Sequence, residues 1–210
     1  MTFAHDERLA FCDDALQAGP DAPTLDEGWT VADLVAHAYT RENDPLAALG
    51  IRVPQLAPLT ARHMDDALRR HGFEGLVMAV RNGPGRFSPL RLPGVDSLVN
   101  GTEMFIHHED IRRGSGEIAP RELPPRVEDE LWRALGIAVV TLHNAPVGVV
   151  LERADSGASR RVKAGTRTVT LVGTPSELLL WVSGRQKAAD VRLVGEADAV
   201  AALHAFTTSM

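Results

Sequence analysis

A single cysteine, Cys12, stands among 210 residues. It can form no intramolecular disulfide, and no cysteine-based zinc cluster can be assembled. Long apolar runs are also missing: no stretch of about 18 apolar residues, as a membrane-spanning helix needs, is present. The opening MTFAHDERLAF lacks the basic segment and apolar core of a secretory signal. Cationic excess is absent too. The 22 Lys and Arg against 28 Asp and Glu give a formal net charge of −6, which argues against a nucleic-acid binder, where a basic patch is required. No internal repeat or low-complexity tract is visible, and a hydrophobic fraction of 44% is too high for disorder. What remains is a globular protein, expected to be soluble and cytoplasmic, with one large domain or a larger and a smaller one.

Helical spacing dominates residues 1–145. Leu9, Cys12, Ala15 and Leu16 mark a first helix from about Ala4 to Gln17, closed by Gly19-Pro20. Cys12 then reads as a small buried hydrophobe. Thr30 begins a second helix through Val31, Leu34, Val35 and Ala38 to about Arg41, with Asp33 forming a shortened capping box. Weaker patterns cover Thr60–His71 and Phe73–Val80. After the Pro- and Arg-rich turn GPGRFSPLRLP comes a helix ending near Gly114. The last, at about Pro125–His143, turns Val127, Leu131, Leu135, Ala138 and Leu142 inward. This is a helical bundle. From residue 146 to 210 the period shortens: VGVVLERA, SRRVKA, RTVTLVG and VRLVG read as strands. TPSELLLWVSG reads as a helix with Thr174 as N-cap, Pro175 at N1 and Glu177 completing a capping box, and EADAVAALHAF as a closing helix. Residues 146–210 are thus expected to be a small α+β domain with an antiparallel sheet.

Between Pro93 and Gly114 one face is polar. At about 100° per residue, Asp96, Asn100, Glu103, His107 and Asp110 fall within an arc of roughly 80°. Leu98, Val99, Met104, Phe105, Ile106 and Ile111 occupy much of the remaining circumference. Two readings stand even: a solvated face, or a buried polar seam that requires partners or a metal. Glu103 and His107, four apart, can both reach one divalent ion. His108 is turned about 100° from His107 and cannot face the same ion. His5, His63 and His71 lie in polar or terminal contexts, and His143 and His204 near helix ends. His37 sits at the edge of the second helix's apolar face, where a partly buried, hydrogen-bonded imidazole is commoner than a ligand.

The segment WTVADLVAHAYTRE, followed far downstream by VNGTEMFIHHEDIRR, resembles the mycothiol-dependent maleylpyruvate isomerase family, part of the DinB-like metalloenzymes. Within it the chain is most similar to a shorter branch known only as metal-binding. The likeness covers most of the chain, including GTPSELLLWVSGR, which is similar to the family's small C-terminal domain. It implies a mainly α fold, a DinB-like four-helix bundle with a small C-terminal α+β domain. Matched position by position, it implies His37, Glu103 and His107 as metal ligands. Such an open three-ligand set suits catalytic zinc, with a fourth position for water or thiolate. A thiol there would lose its proton at neutral pH. Mycothiol, the family's thiol, would be the cosubstrate.

The resemblance therefore implies a thiol-dependent isomerase or S-transferase acting on a small electrophilic, maleylpyruvate-like substrate. The alternative is a noncatalytic metal-binding or stress-response module with the same bundle. Asn100 is a candidate to hydrogen-bond the metal-bound water or the substrate. Arg86 and Arg91 are candidates to hold a substrate carboxylate. Asp110 is either an acceptor for a ligand's free N–H or a partner of Arg112 or Arg113. A site closed by a fourth protein ligand would draw on Asp33 or Asp110. Trp29 and Trp181 read as core anchors, and the assembly is expected to be a monomer or homodimer.

Overall fold

The computed structural model describes residues 2–44, 54–85, 100–116 and 119–206. It contains two compact units, Met1–Glu117 and Ile118–Met210. The boundary expected at residue 145 marks the change of periodicity; the packing boundary is earlier. The reason is the helix at Pro125–Ala138, which docks on the helix at Pro175–Val182 of the second unit. Glu128 accepts there from the amide of Ser176 at 2.9 Å and from its hydroxyl at 2.8 Å.

The first unit is built of α1 (Phe3–Ala18), α2 (Val31–Asn43), α3 (Ala57–Arg81) and α4 (Gly101–Gly114). Their start and stop signals are local. Thr2 caps α1 and Gly19, at φ 84°, ends it. The Thr30 hydroxyl accepts from the Asp33 amide, while the Asp33 carboxylate accepts from the Thr30 amide at 2.9 Å, the full capping box. The two weak patterns expected at Thr60–His71 and Phe73–Val80 are the halves of α3, broken at Gly72, where φ is 67° and ψ 169°. The helices form the expected four-helix bundle around Phe11, Cys12, Leu34, Val35, Leu76 and Val77. Side chains of this size each contribute about 1.5–3 kcal/mol when fully buried. Cys12 is part of that core, and burial pushes its thiol up to about 12 against the pull of Arg81 and Arg8.

The bundle interior also holds charge. Arg8 reaches both carboxylate oxygens of Glu42, at 2.8 and 2.5 Å, and the Val80 carbonyl at 2.8 Å. His108 lies between Glu7 (2.9 Å from Nδ1) and Asp14 (2.8 Å from Nε2), and Glu109 accepts from Arg113 and Arg112. These paired charges avoid the several kcal/mol that an isolated buried ion costs.

The second unit carries α5 (Pro125–Ala138) and its 3-10 continuation Val139–Asn144. Then follow β1 (Gly148–Arg153), β2 (Ser159–Lys163), β3 (Thr168–Gly173), α6 (Pro175–Val182), β4 (Arg192–Val194) and α7 (Ala197–His204). The sheet order is β2-β1-β3-β4. It is mixed rather than antiparallel: β1 pairs antiparallel with β2 but parallel with β3. The link from β2 to β3 passes the start of β1, where two glycines meet. A Cβ on Gly148 would lie 2.9 Å from the Gly165 nitrogen, and one on Gly165 would strike the Gly148 nitrogen. Only glycine at both positions lets the backbones approach so closely. Thr174 caps α6 as expected, but Oε2 of Glu177 accepts from the amide of Asp190 at 2.7 Å, joining α6 to the approach to β4. Among the described residues no helix is long and apolar enough to cross a membrane.

Candidate functional site

Helix α2 presents His37 and Arg41, one turn apart, beside the apolar stripe of Leu34, Val35 and Ala38 that seats it in the core. Helix α4 presents Glu103 and His107, also one turn apart, with Met104, Phe105, Ile106 and Ile111 buried around them. The two pairs meet. The rings of His37 and His107 are edge to face with centroids 5.1 Å apart, and Arg41 Nε lies 3.7 Å from Glu103 Oε2. That same oxygen is 3.6 Å from His107 Nε2. The polar face of α4 is thus a buried seam and not a solvated surface: Asn100 and Asp110 are fully buried, and His107 is 7% exposed.

Each nitrogen of His107 has a distinct situation. Nδ1 lies 3.1 Å from Asp110 Oδ2, which can only accept, so the ring donates there. Nε2 is buried and has no hydrogen-bond partner among the described residues, since 3.6 Å to Glu103 is longer than a hydrogen bond. Burial alone would lower the His107 pKa. Hydrogen bonding and charge from Asp110 and Glu103 outweigh it and hold the ring at about 9. Burial would likewise raise Glu103, but His107, Arg41 and His37 together hold it down at about 2.

A second group of ligand atoms shares the same ring. Asp26, His107 and Asp110 offer atoms all within 4.8 Å of one another. Asp26 comes from the loop before α2, tied to α4 by the Leu25 amide bonding the Asp110 carbonyl at 3.1 Å. Gly114 permits this approach, because a Cβ there would strike the carbonyl of Pro23. The loop also places Trp29 against His37, with ring centroids 5.2 Å apart, so this tryptophan lines the site as well as the core.

The sequence candidates are distributed as follows. His37, Glu103 and His107 converge. Asn100 enters through Arg41, whose Nη1 donates to its Oδ1 at 3.1 Å. Asp110 stands behind His107, while Arg112 and Arg113 pair with Glu109 instead. Asp33 is held at the α2 cap. Arg86, Arg91 and Asp96 lie outside the described residues. Arg41 and Asp26 were not singled out from sequence. Arg41 had a local signal, its four-residue spacing from His37; Asp26 had none.

Two imidazoles and a carboxylate are ligands that divalent zinc and its neighbours accept. A ligating histidine almost always donates its other N–H to a carboxylate or carbonyl, as His107 does to Asp110. The residues fit such an ion.

Residues 2–88 match the family model described as the mycothiol maleylpyruvate isomerase N-terminal domain. No curated protein matches the chain. Among solved structures, the chain is similar to a crystal structure of the mycothiol-dependent maleylpyruvate isomerase, at 17% identity and a TM-score of 0.54. That match covers 91% of this chain and 90% of the other. A histidine-to-alanine mutant of that isomerase matches at 18% identity and the same TM-score, with 90% of each chain covered. At these identities the likeness is one of fold.

Proposed function

From the match of residues 2–88 to the mycothiol maleylpyruvate isomerase N-terminal domain model, we propose that the chain is a thiol-dependent metalloenzyme holding one divalent ion, zinc by choice of donors, through His37, Glu103 and His107. The observation that carries this reading is the buried Nε2 of His107, which has no hydrogen-bond partner among the described residues, facing Glu103 and set beside His37. An unbonded buried nitrogen costs about 1–3 kcal/mol, which a ligand role would remove. The Asp26–His107–Asp110 group is the second candidate; in it Asp110 is already engaged by Nδ1 of His107 at 3.1 Å.

When bound, the metal would lower the pKa of a low-molecular-weight thiol, mycothiol by the family's description, which supplies the nucleophile for isomerisation or S-transfer on a small electrophile. The chain's own residues prepare for this. Asp110 fixes the His107 tautomer, leaving Nε2 as the donor atom. Trp29 packs on His37 and shields it from water. Arg86 and Arg91 are proposed to hold the substrate carboxylate.

Elemental analysis of purified protein checks the ligand assignment: one metal per chain is expected, largely lost in His107→Ala. Metal-loaded protein with mycothiol and a panel including maleylpyruvate then tests the activity. Wild-type metal content in His107→Ala would refute the assignment. Metal binding without thiol binding or turnover would mean a noncatalytic module.

A further inference from the structure

Arg41 lies outside the proposed ligand set yet touches it. It is one helical turn beyond His37 and faces α4, its side chain 12% exposed. Nη1 donates to Asn100 Oδ1 at 3.1 Å, and Nε lies 3.7 Å from Glu103 Oε2. Asn100 and Glu103 are three residues apart on one face of α4, so the guanidinium is anchored by its hydrogen bond to Asn100 while its charge lies beside the Glu103 carboxylate. Asn100 is fully buried, which gives the guanidinium a fixed attachment.

We infer that Arg41 is the positioning residue of Glu103, holding its carboxylate so that Oε2 is turned to Nε2 of His107. This rests on the proposed role of Glu103 as ligand. A free glutamate has three rotatable bonds, and ordering such a side chain has an entropic cost. With Arg41 in place the ordering is done before any ion arrives. The guanidinium charge opposes a nearby cation, but Glu103 already matches it, so alignment is the larger effect.

The two effects predict opposite results. Arg41→Met, Arg41→Gln and Arg41→Lys would be compared with wild type and His107→Ala by chelator competition with zinc and by the visible spectrum of the cobalt-loaded proteins. Positioning predicts metal affinity about 10- to 100-fold weaker in Arg41→Met, an altered cobalt spectrum, and partial recovery in Arg41→Lys. Thermal unfolding of the metal-free proteins separates this from general damage. If Arg41→Met does not fold, Arg41→Gln carries the same expectation. Equal or tighter binding with an unchanged spectrum, while His107→Ala loses metal, overturns the role of Arg41 alone. Metal retained by His107→Ala overturns the ligand assignment and the inference with it.

Discussion

The metal binding proposed at His107 would have to compete with a proton, and the structure sets the size of that competition. Only the neutral imidazole ligates, whereas Asp110 and Glu103 hold this ring protonated up to about 9. At pH 7 roughly one ring in a hundred is neutral, a cost of about 3 kcal/mol against the affinity the site would otherwise show. Apparent affinity should therefore rise about tenfold per pH unit from 7 toward 9 and then level off. The metal-free fold responds in the opposite direction. A folded value of about 9 against an ordinary 6.5 means that His107 stabilises the fold fully below pH 6.5. That stabilisation is lost as pH rises through 9, a change of about 3 kcal/mol. Thermal unfolding with and without saturating zinc, followed across pH 6.5–9, measures both. The gap between the two melting temperatures should widen with pH, and titrations in buffers of different ionisation enthalpy should show close to one proton released per ion at pH 7. A constant gap together with no proton release would refute the reasoning.

Two further outcomes are expected. Glu42→Gln leaves the Arg8 charge buried without its counterion and should cost about 3–5 kcal/mol of bundle stability, read as a lower urea midpoint; a change below about 1 kcal/mol would mean that Arg8 finds another acceptor. Gly165→Ala should disrupt the second unit, because its Cβ has no room beside Gly148, and loss of the corresponding amide-exchange protection checks it; unchanged protection in β1 and β3 would count against the close approach described.

Where local chemistry decides, the sequence was sufficient. The Thr30–Asp33 box, the Thr174 cap and the alternation in β1 and β3 appear where residue types require them. Spacing alone paired Glu103 with His107, and it was the family resemblance that implied His37 beside them, where the structure places its ring. The seam on α4 read equally as surface or interior, since periodicity records that a face is polar without recording what covers it. Arg41 stands in the last turn of α2, where a cation suits the helix end whether or not it faces a site. Asp26 reaches the site through one backbone bond and one glycine in contact with a distant loop, neither of which leaves a periodic trace. The parallel pairing of β1 and β3 was missed for a similar reason: Gly165 looks like an ordinary turn glycine until Gly148 is placed against it.

Helix α4 carries four consecutive buried ionisable side chains, His107 through Asp110. They point in four directions about 100° apart. His107 and Asp110 answer each other, His108 answers Glu7 and Asp14 on α1, and Glu109 answers Arg112 and Arg113. An apolar helix can roll in its groove and exchange one leucine for another at little expense. This one cannot. Rolling by a single residue would part His108 from both its α1 carboxylates and leave charges uncompensated in the interior, at several kcal/mol apiece. The charges therefore act as a rotational index for the helix. They fix which side of α4 faces α2, and so keep Glu103 and His107 aimed at His37 by electrostatics that these three residues do not themselves supply.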